Sequence, residues 1–132
     1  MRSGSGIAVV LLLTICMTSH AADKNWPSSP AGTMAKGWVT AFNGGDVPMR
    51  QFLVDKMAGD GKRVEERMKS YGKLRKEMKT LTLVRVDDET RYELDVTLAD
   101  SAGDEHQFTF RVQPKPPHKL ELVGRLEYRH AH

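Results

Sequence analysis

Between residues 30 and 78 the apolar positions recur every three or four residues, and beyond residue 80 they recur at every second one. The first period is that of an α-helix with one buried stripe; the second is that of a half-buried strand. Ser29-Pro30 predicts a helix start, with serine as N-cap and proline at the first helical position. Met34, Trp38, Ala41 and Phe42 then form one stripe, with Lys36, Thr40 and Asn43 on the other side, until Asn43-Gly44-Gly45 ends the helix. Asp46 is expected to cap a second, short helix, with Pro48 in its first turn and Met49, Phe52, Leu53 and Met57 on its buried face; Gly59-Asp60-Gly61 breaks it. In the third helix Val64, Met68, Tyr71, Leu74 and Met78 share one face. Glu65 and Glu66 in its first turn and Lys73, Arg75, Lys76 and Lys79 near its end both favour the helix dipole. Gly72 sits mid-helix, where glycine costs about 1 kcal/mol relative to alanine, so a close backbone approach by a neighbour is expected there.

Four strands follow. Residues 81–86 form the first. Tyr92, Leu94, Val96 and Leu98 alternate with Arg91, Glu93, Asp95 and Thr97; Phe108, Phe110 and Val112 alternate with Gln107, Thr109 and Arg111. In the last strand Leu120, Leu122, Leu126 and Tyr128 are expected on the inner face, with Glu121, Val123, Arg125 and Glu127 outside and Gly124 interrupting. Turns fall at Asp87-Asp88-Glu89, Ser101-Ala102-Gly103-Asp104 and Pro114-Lys115-Pro116-Pro117. Three helices followed by four antiparallel strands define an α+β domain with the helices on one sheet face.

Residues 1–21 stand apart. Arg2 precedes an aliphatic run over residues 7–17, and Ser19-His20-Ala21 places small residues where a signal peptidase needs them, so cleavage between Ala21 and Ala22 is expected. The run is too short for a membrane anchor, which needs about 20 apolar residues; stable membrane insertion is not expected. Cys16, the single cysteine, leaves with this segment, so the mature chain carries no disulfide. The predicted organisation is a signal peptide over 1–21, a polar linker over 22–29, one domain over 30–128 and a tail over 129–132, with a periplasmic or extracellular destination. Residues 61–79 hold eight Lys/Arg against three Glu, and residues 80–110 hold two Arg against eight acids, so the formal charge of +3 conceals a polar molecule. A nucleic-acid surface is not expected, because the aromatic interleaving of a single-strand groove is missing.

The run Trp38-Val39-Thr40-Ala41-Phe42-Asn43-Gly44-Gly45-Asp46, placed after an amphipathic helix, resembles the opening of nuclear transport factor two-like domains, also called SnoaL-like or cystatin-like cones. The resemblance covers about residues 30–128. Residues 116–120 look like the version of this domain found beside secreted serine hydrolases; with no Gly-x-Ser-x-Gly elbow, the chain would be the accessory module alone. The resemblance implies a curved four-stranded sheet and three helices forming a cone with a pocket at its wide end, and often a homodimer through the outer sheet face. Family members include ketosteroid isomerases, polyketide cyclases, dehydratases and domains without catalysis, so the fold alone assigns no activity.

An isomerase or cyclase of this kind needs a carboxylate or imidazole base inside the cone. The inward strand positions here are Leu, Val, Phe and Tyr, so no catalytic residue, metal site or cofactor is assigned. Trp38, Phe42, Tyr71, Phe108 and Phe110 are the expected pocket lining. Arg67 and Arg75 both lie near the centre of the third helix's apolar face, and Arg67 is the candidate to grip an anion bidentately; snorkelling of its stem over the core is the alternative. The expectation is an exported domain that binds a small apolar or acidic molecule, or an envelope protein, without catalysis. The alternative is a small lyase or isomerase of the same fold.

Overall fold

A computed structural model describes residues 26–59 and 61–126. Residues 1–21, where an export segment is expected, with the Ala21-Ala22 junction, Tyr128 and the tail histidines lie outside the described residues. The elements are α1 (Pro30–Gly44), α2 (Asp46–Lys56), α3 (Val64–Met78), β1 (Thr82–Glu89), β2 (Glu93–Ala99), β3 (Glu105–Val112) and β4 (Leu120–Arg125). Three helices and a four-stranded antiparallel sheet are therefore present as the periodicity predicts.

The cone is not. The sheet is an open meander in the order β1-β2-β3-β4, with β1 and β4 as free edges rather than neighbours in a curled wall. The helices do not share the sheet face either: α1 lies across β2 and β3, α2 packs on α1, and α3 packs on α2. The physical reason is the aromatic cluster. Trp38 on α1 stands 5.3 Å from the Phe42 ring, 6.0 Å from Phe108 and 5.5 Å from Phe110, centroid to centroid. Phe42 and Phe110, expected to line a hollow, are fully buried instead, and with Trp38 and Phe108 they join α1 to the sheet as a closely packed core.

The start of α1 is as expected: the Ser29 hydroxyl accepts from the Gly32 N–H at 3.1 Å, with Pro30 following. Its end differs in detail. Gly45 (φ 110°) alone separates α1 from α2, so Asp46 is the first residue of α2 and makes no capping bond of its own. A φ of that sign is open to glycine and strained for other residues. Asp46 still contributes a negative charge to the first turn.

Two strands depart from the expected pattern. β1 continues through Asp87, Asp88 and Glu89, which the sequence reads as a turn. Two register shifts, at 83–85 and 86–88, let the edge strand carry these acids, and Asp87 accepts from the Thr97 hydroxyl at 2.7 Å and from Arg85 at 3.0 Å. In β4 a shift opposite Arg111 and Val112 moves the alternation by one residue. Val123 and Arg125 now stand opposite Phe110 and Phe108 on the inner face, while Leu122 and Leu126 are exposed. A one-residue slip exchanges the two faces of a strand, and this bulge makes that exchange within β4. β2 and β3 keep the expected faces, with Leu94, Val96, Leu98, Phe108, Phe110 and Val112 all buried.

The glycines of α1 and α3 behave oppositely. A Cβ on Gly32 would lie 2.2 Å from the Pro27 carbonyl oxygen, whereas one on Gly72 would meet nothing within 4 Å. The neighbour expected against Gly72 is thus not there, and that residue simply weakens an exposed turn. Gly72→Ala is expected to raise stability by about 1 kcal/mol in urea unfolding. Gly32→Ala is expected to lower it despite the same gain in helix propensity, because the displaced atoms are backbone.

Candidate functional site

Helix α3 packs on α2 and is tied by two side chains to the end of α1. The last carbonyls of a helix have no partner within it, and the Phe42 carbonyl receives two outside donors: the Tyr71 hydroxyl at 3.1 Å and the Arg75 guanidinium. Arg75 also donates to the Tyr71 oxygen at 2.9 Å and lies over the Phe42 ring, whose edge-to-face contact with Tyr71 spans 5.3 Å. Further along, Arg50 of α2 holds Glu65 of α3, and the Glu65 carboxyl is kept below its usual range by that hydrogen bond and the accompanying charge. At the opposite end Glu77 pairs with Arg125 of β4 at 3.0 Å.

Suspended in this way, α3 stands off from β4 and leaves a cleft of about 360 Å³. Its floor is Trp38, Met49, Leu53, Met57 and Phe108 from α1, α2, β3 and the turn after α2. Its α3 wall carries Arg63, Arg67, Ser70, Tyr71 and Leu74; its β4 wall is residues 121–123 and Arg125. Of the residues that the sequence nominates, Trp38, Arg67, Tyr71 and Phe108 meet here. Phe42 and Phe110 do not line the cleft; both are fully buried behind it.

The three cleft arginines differ in their ties. Arg63 pairs with Glu66 at 3.0 Å and Arg125 with Glu77. The Arg67 side chain has no hydrogen bond or ion pair among the described residues and is partly buried at the cleft. The helical period places Arg67 and Arg75 together, and their duties separate: Arg75 closes the end of α1, and Arg67 faces the cleft. Glu121, also on the wall, is held by Arg111 at 3.3 Å.

Arg63, Arg125 and the β4 wall were not nominated by sequence. The available signal was the adjacent apolar pair Leu122-Val123 followed by Gly124, which breaks a strict alternation. Also unanticipated is the Asp100–His106 pair. Asp100 closes the β2–β3 turn by accepting from the N–H groups of Ala102 and Asp104 at 2.9 and 3.0 Å, and its second oxygen takes the His106 Nε2 at 2.9 Å. His118 stacks on Tyr92 and bonds to the Gln113 carbonyl at 3.0 Å. On the outer sheet face, Thr97 is buried under Asp87, Asp95 accepts from Thr109 at 2.8 Å, and Arg85 lies 3.6 Å from Glu105, so its mixed charges pair across strands. Among the described residues no group of three or more His, Cys, Asp or Glu could hold a metal ion, and no helix is long and apolar enough to cross a membrane.

No protein-family model matches the chain, and neither a curated protein nor a solved structure matches it.

Tyr71→Phe and Arg75→Ala are each expected to lower unfolding stability, by about 1 and about 2 kcal/mol, while Arg67→Ala leaves it within about 0.5 kcal/mol; denaturant melts of the three variants check this. A pH series tests the turn. The His106 hydrogen bond, opposed by burial and aided by the two backbone donors, keeps the Asp100 carboxyl below its usual range. A depressed carboxyl stabilises the fold above its unfolded value, about 3.9, and that contribution disappears as pH falls through the folded value. The stability gap between wild type and Asp100→Asn is therefore expected to be open at pH 6 and to close under strong acid.

Proposed function

We propose that this is a non-catalytic binding domain of an exported protein, and that the α3–β4 cleft takes a ligand with an apolar body and an anionic group. The observation that carries the reading is Arg67, an arginine without a side-chain partner among the described residues, at the wall of a cleft with an apolar floor. A guanidinium presents a planar fork of donors suited to a carboxylate. Buried aromatic and aliphatic floor residues supply area, and the cleft's 360 Å³ falls within the usual span of small-molecule sites. Export rests on the charged start, aliphatic run and small-residue junction of residues 1–21.

The division of labour between floor and arginine suits retention rather than turnover. Glu121, the carboxylate on the cleft wall, is engaged by Arg111. A general base must reach the proton it removes, and the Asp100–His106 pair is committed to a turn.

Dodecanoate, followed through tryptophan emission, is the direct probe. Binding of dodecanoate but not of dodecanol is expected, with Arg67→Ala weakening it about tenfold or more, the equivalent of one charge-assisted hydrogen bond. Equal affinity of wild type and Arg67→Ala for dodecanoate would refute the assignment.

A further inference from the structure

We propose that the natural occupant of this cleft is an extended acidic peptide segment of another protein, added as a fifth strand alongside β4. The proposal rests on the cleft being a binding site and specifies what it binds.

The two edges of the sheet differ. β1 is interrupted by two register shifts and carries Asp87, Asp88 and Glu89, devices that discourage strand addition. β4 has no such protection beyond its first residues. On its free side Ala58 donates to the Leu120 carbonyl at 2.8 Å, alongside a single parallel bridge between Met57 and Leu120, and the pairing stops there among the described residues. The phase of the remaining groups follows from the ladder. The Leu126 N–H donates to Gln107 at 2.9 Å, so Leu126, Gly124 and Leu122 turn their backbone groups toward β3. Alternate residues of an antiparallel edge strand point outward, which leaves the N–H and C=O of Val123 and Arg125 facing the open side.

That open side borders the cleft. Residues 121, 122, 123 and 125 all line it, although successive side chains of a strand point to opposite faces. What borders the cleft is therefore the edge of β4 itself. An added strand would pair with Val123 and Arg125 and lower alternate side chains onto the floor of Trp38, Leu53 and Phe108. Main-chain bonds supply affinity and the floor supplies selectivity in this mode of recognition. The opposing wall selects charge: it presents Arg63 and Arg67, and Arg67 has no side-chain partner among the described residues. A carboxylate in the segment, or at its C-terminus, meets Arg67.

The experiment is a selection of octapeptides with free C-termini on the full chain, with binders then measured by fluorescence anisotropy. Enriched acidic sequences are expected to lose at least tenfold in affinity when alternate backbone nitrogens are methylated. They are also expected to lose affinity for Val123→Pro, which removes one outward N–H at a position where an edge strand tolerates proline. Dodecanoate, which needs no strand pairing, is titrated into the wild-type chain in parallel. Three results would overturn the proposal: no enrichment over Val123→Pro, methylated peptides that bind unchanged, or a wild-type dimer in sedimentation that Val123→Pro abolishes, which would give the edge to a second copy. Retention of dodecanoate in those cases leaves the cleft as a small-molecule site; loss of both probes removes the cleft itself.

Discussion

The carbonyl of Phe42 determines where α3 lies. Gly45 breaks the helical path just beyond it, and the oxygen that would have bonded within a longer helix is taken by Tyr71 and Arg75. One residue on, the Asn43 side chain binds both the N–H and the C=O of Leu81 at 2.9 Å. The final turn of α1 thus fixes α3 on one side and the entry to β1 on the other. Buried hydrogen bonds of this kind add modestly to stability, yet leaving them unmade is expensive, so they specify position more than they add strength.

Position is what the cleft requires. Were α3 laid flat on the sheet, its apolar face would cover Trp38, Phe108 and β4. Held instead by its Tyr71–Arg75 segment and packed on α2, it leaves a cleft beside that buried floor. The same geometry separates two arginines that a helical wheel treats alike. Arg75 is consumed by the Phe42 carbonyl; Arg67, two turns earlier, reaches no acceptor among the described residues. Binding here would give the Arg67 guanidinium an acceptor in place of solvent.

Much of this was legible in the residues. The stripe of Met34, Trp38, Ala41 and Phe42, the Ser29-Pro30 start and the alternation of β2 and β3 are local signals, and local signals survive in the structure. The run around Ala41-Phe42-Asn43 also stood out, and its use is now physical: carbonyl, amide and ring each hold a different neighbour. What could not be read was set by tertiary contact. Whether aromatic rings line a hollow or fill it depends on how closely α1 approaches the sheet, and the Trp38 cluster shows close approach. The bulge in β4 depends on its partner strand, so Val123 and Arg125 were placed outside and Leu122 inside. Gly72 was read as a contact point because a mid-helix glycine invites a reason; the structure supplies none.

The central claim is that ligand enters between α3 and β4 with its charge on Arg67. Nitrogen-15 correlation spectra of the chain titrated with dodecanoate test it most directly. The expected result is that the Arg67 side-chain Nε–H, the Trp38 indole N–H and the backbone amides of Val123 and Arg125 shift together along one saturation curve. Shifts gathered on the outer sheet face or between α1 and α2, with those four signals unmoved, would contradict it.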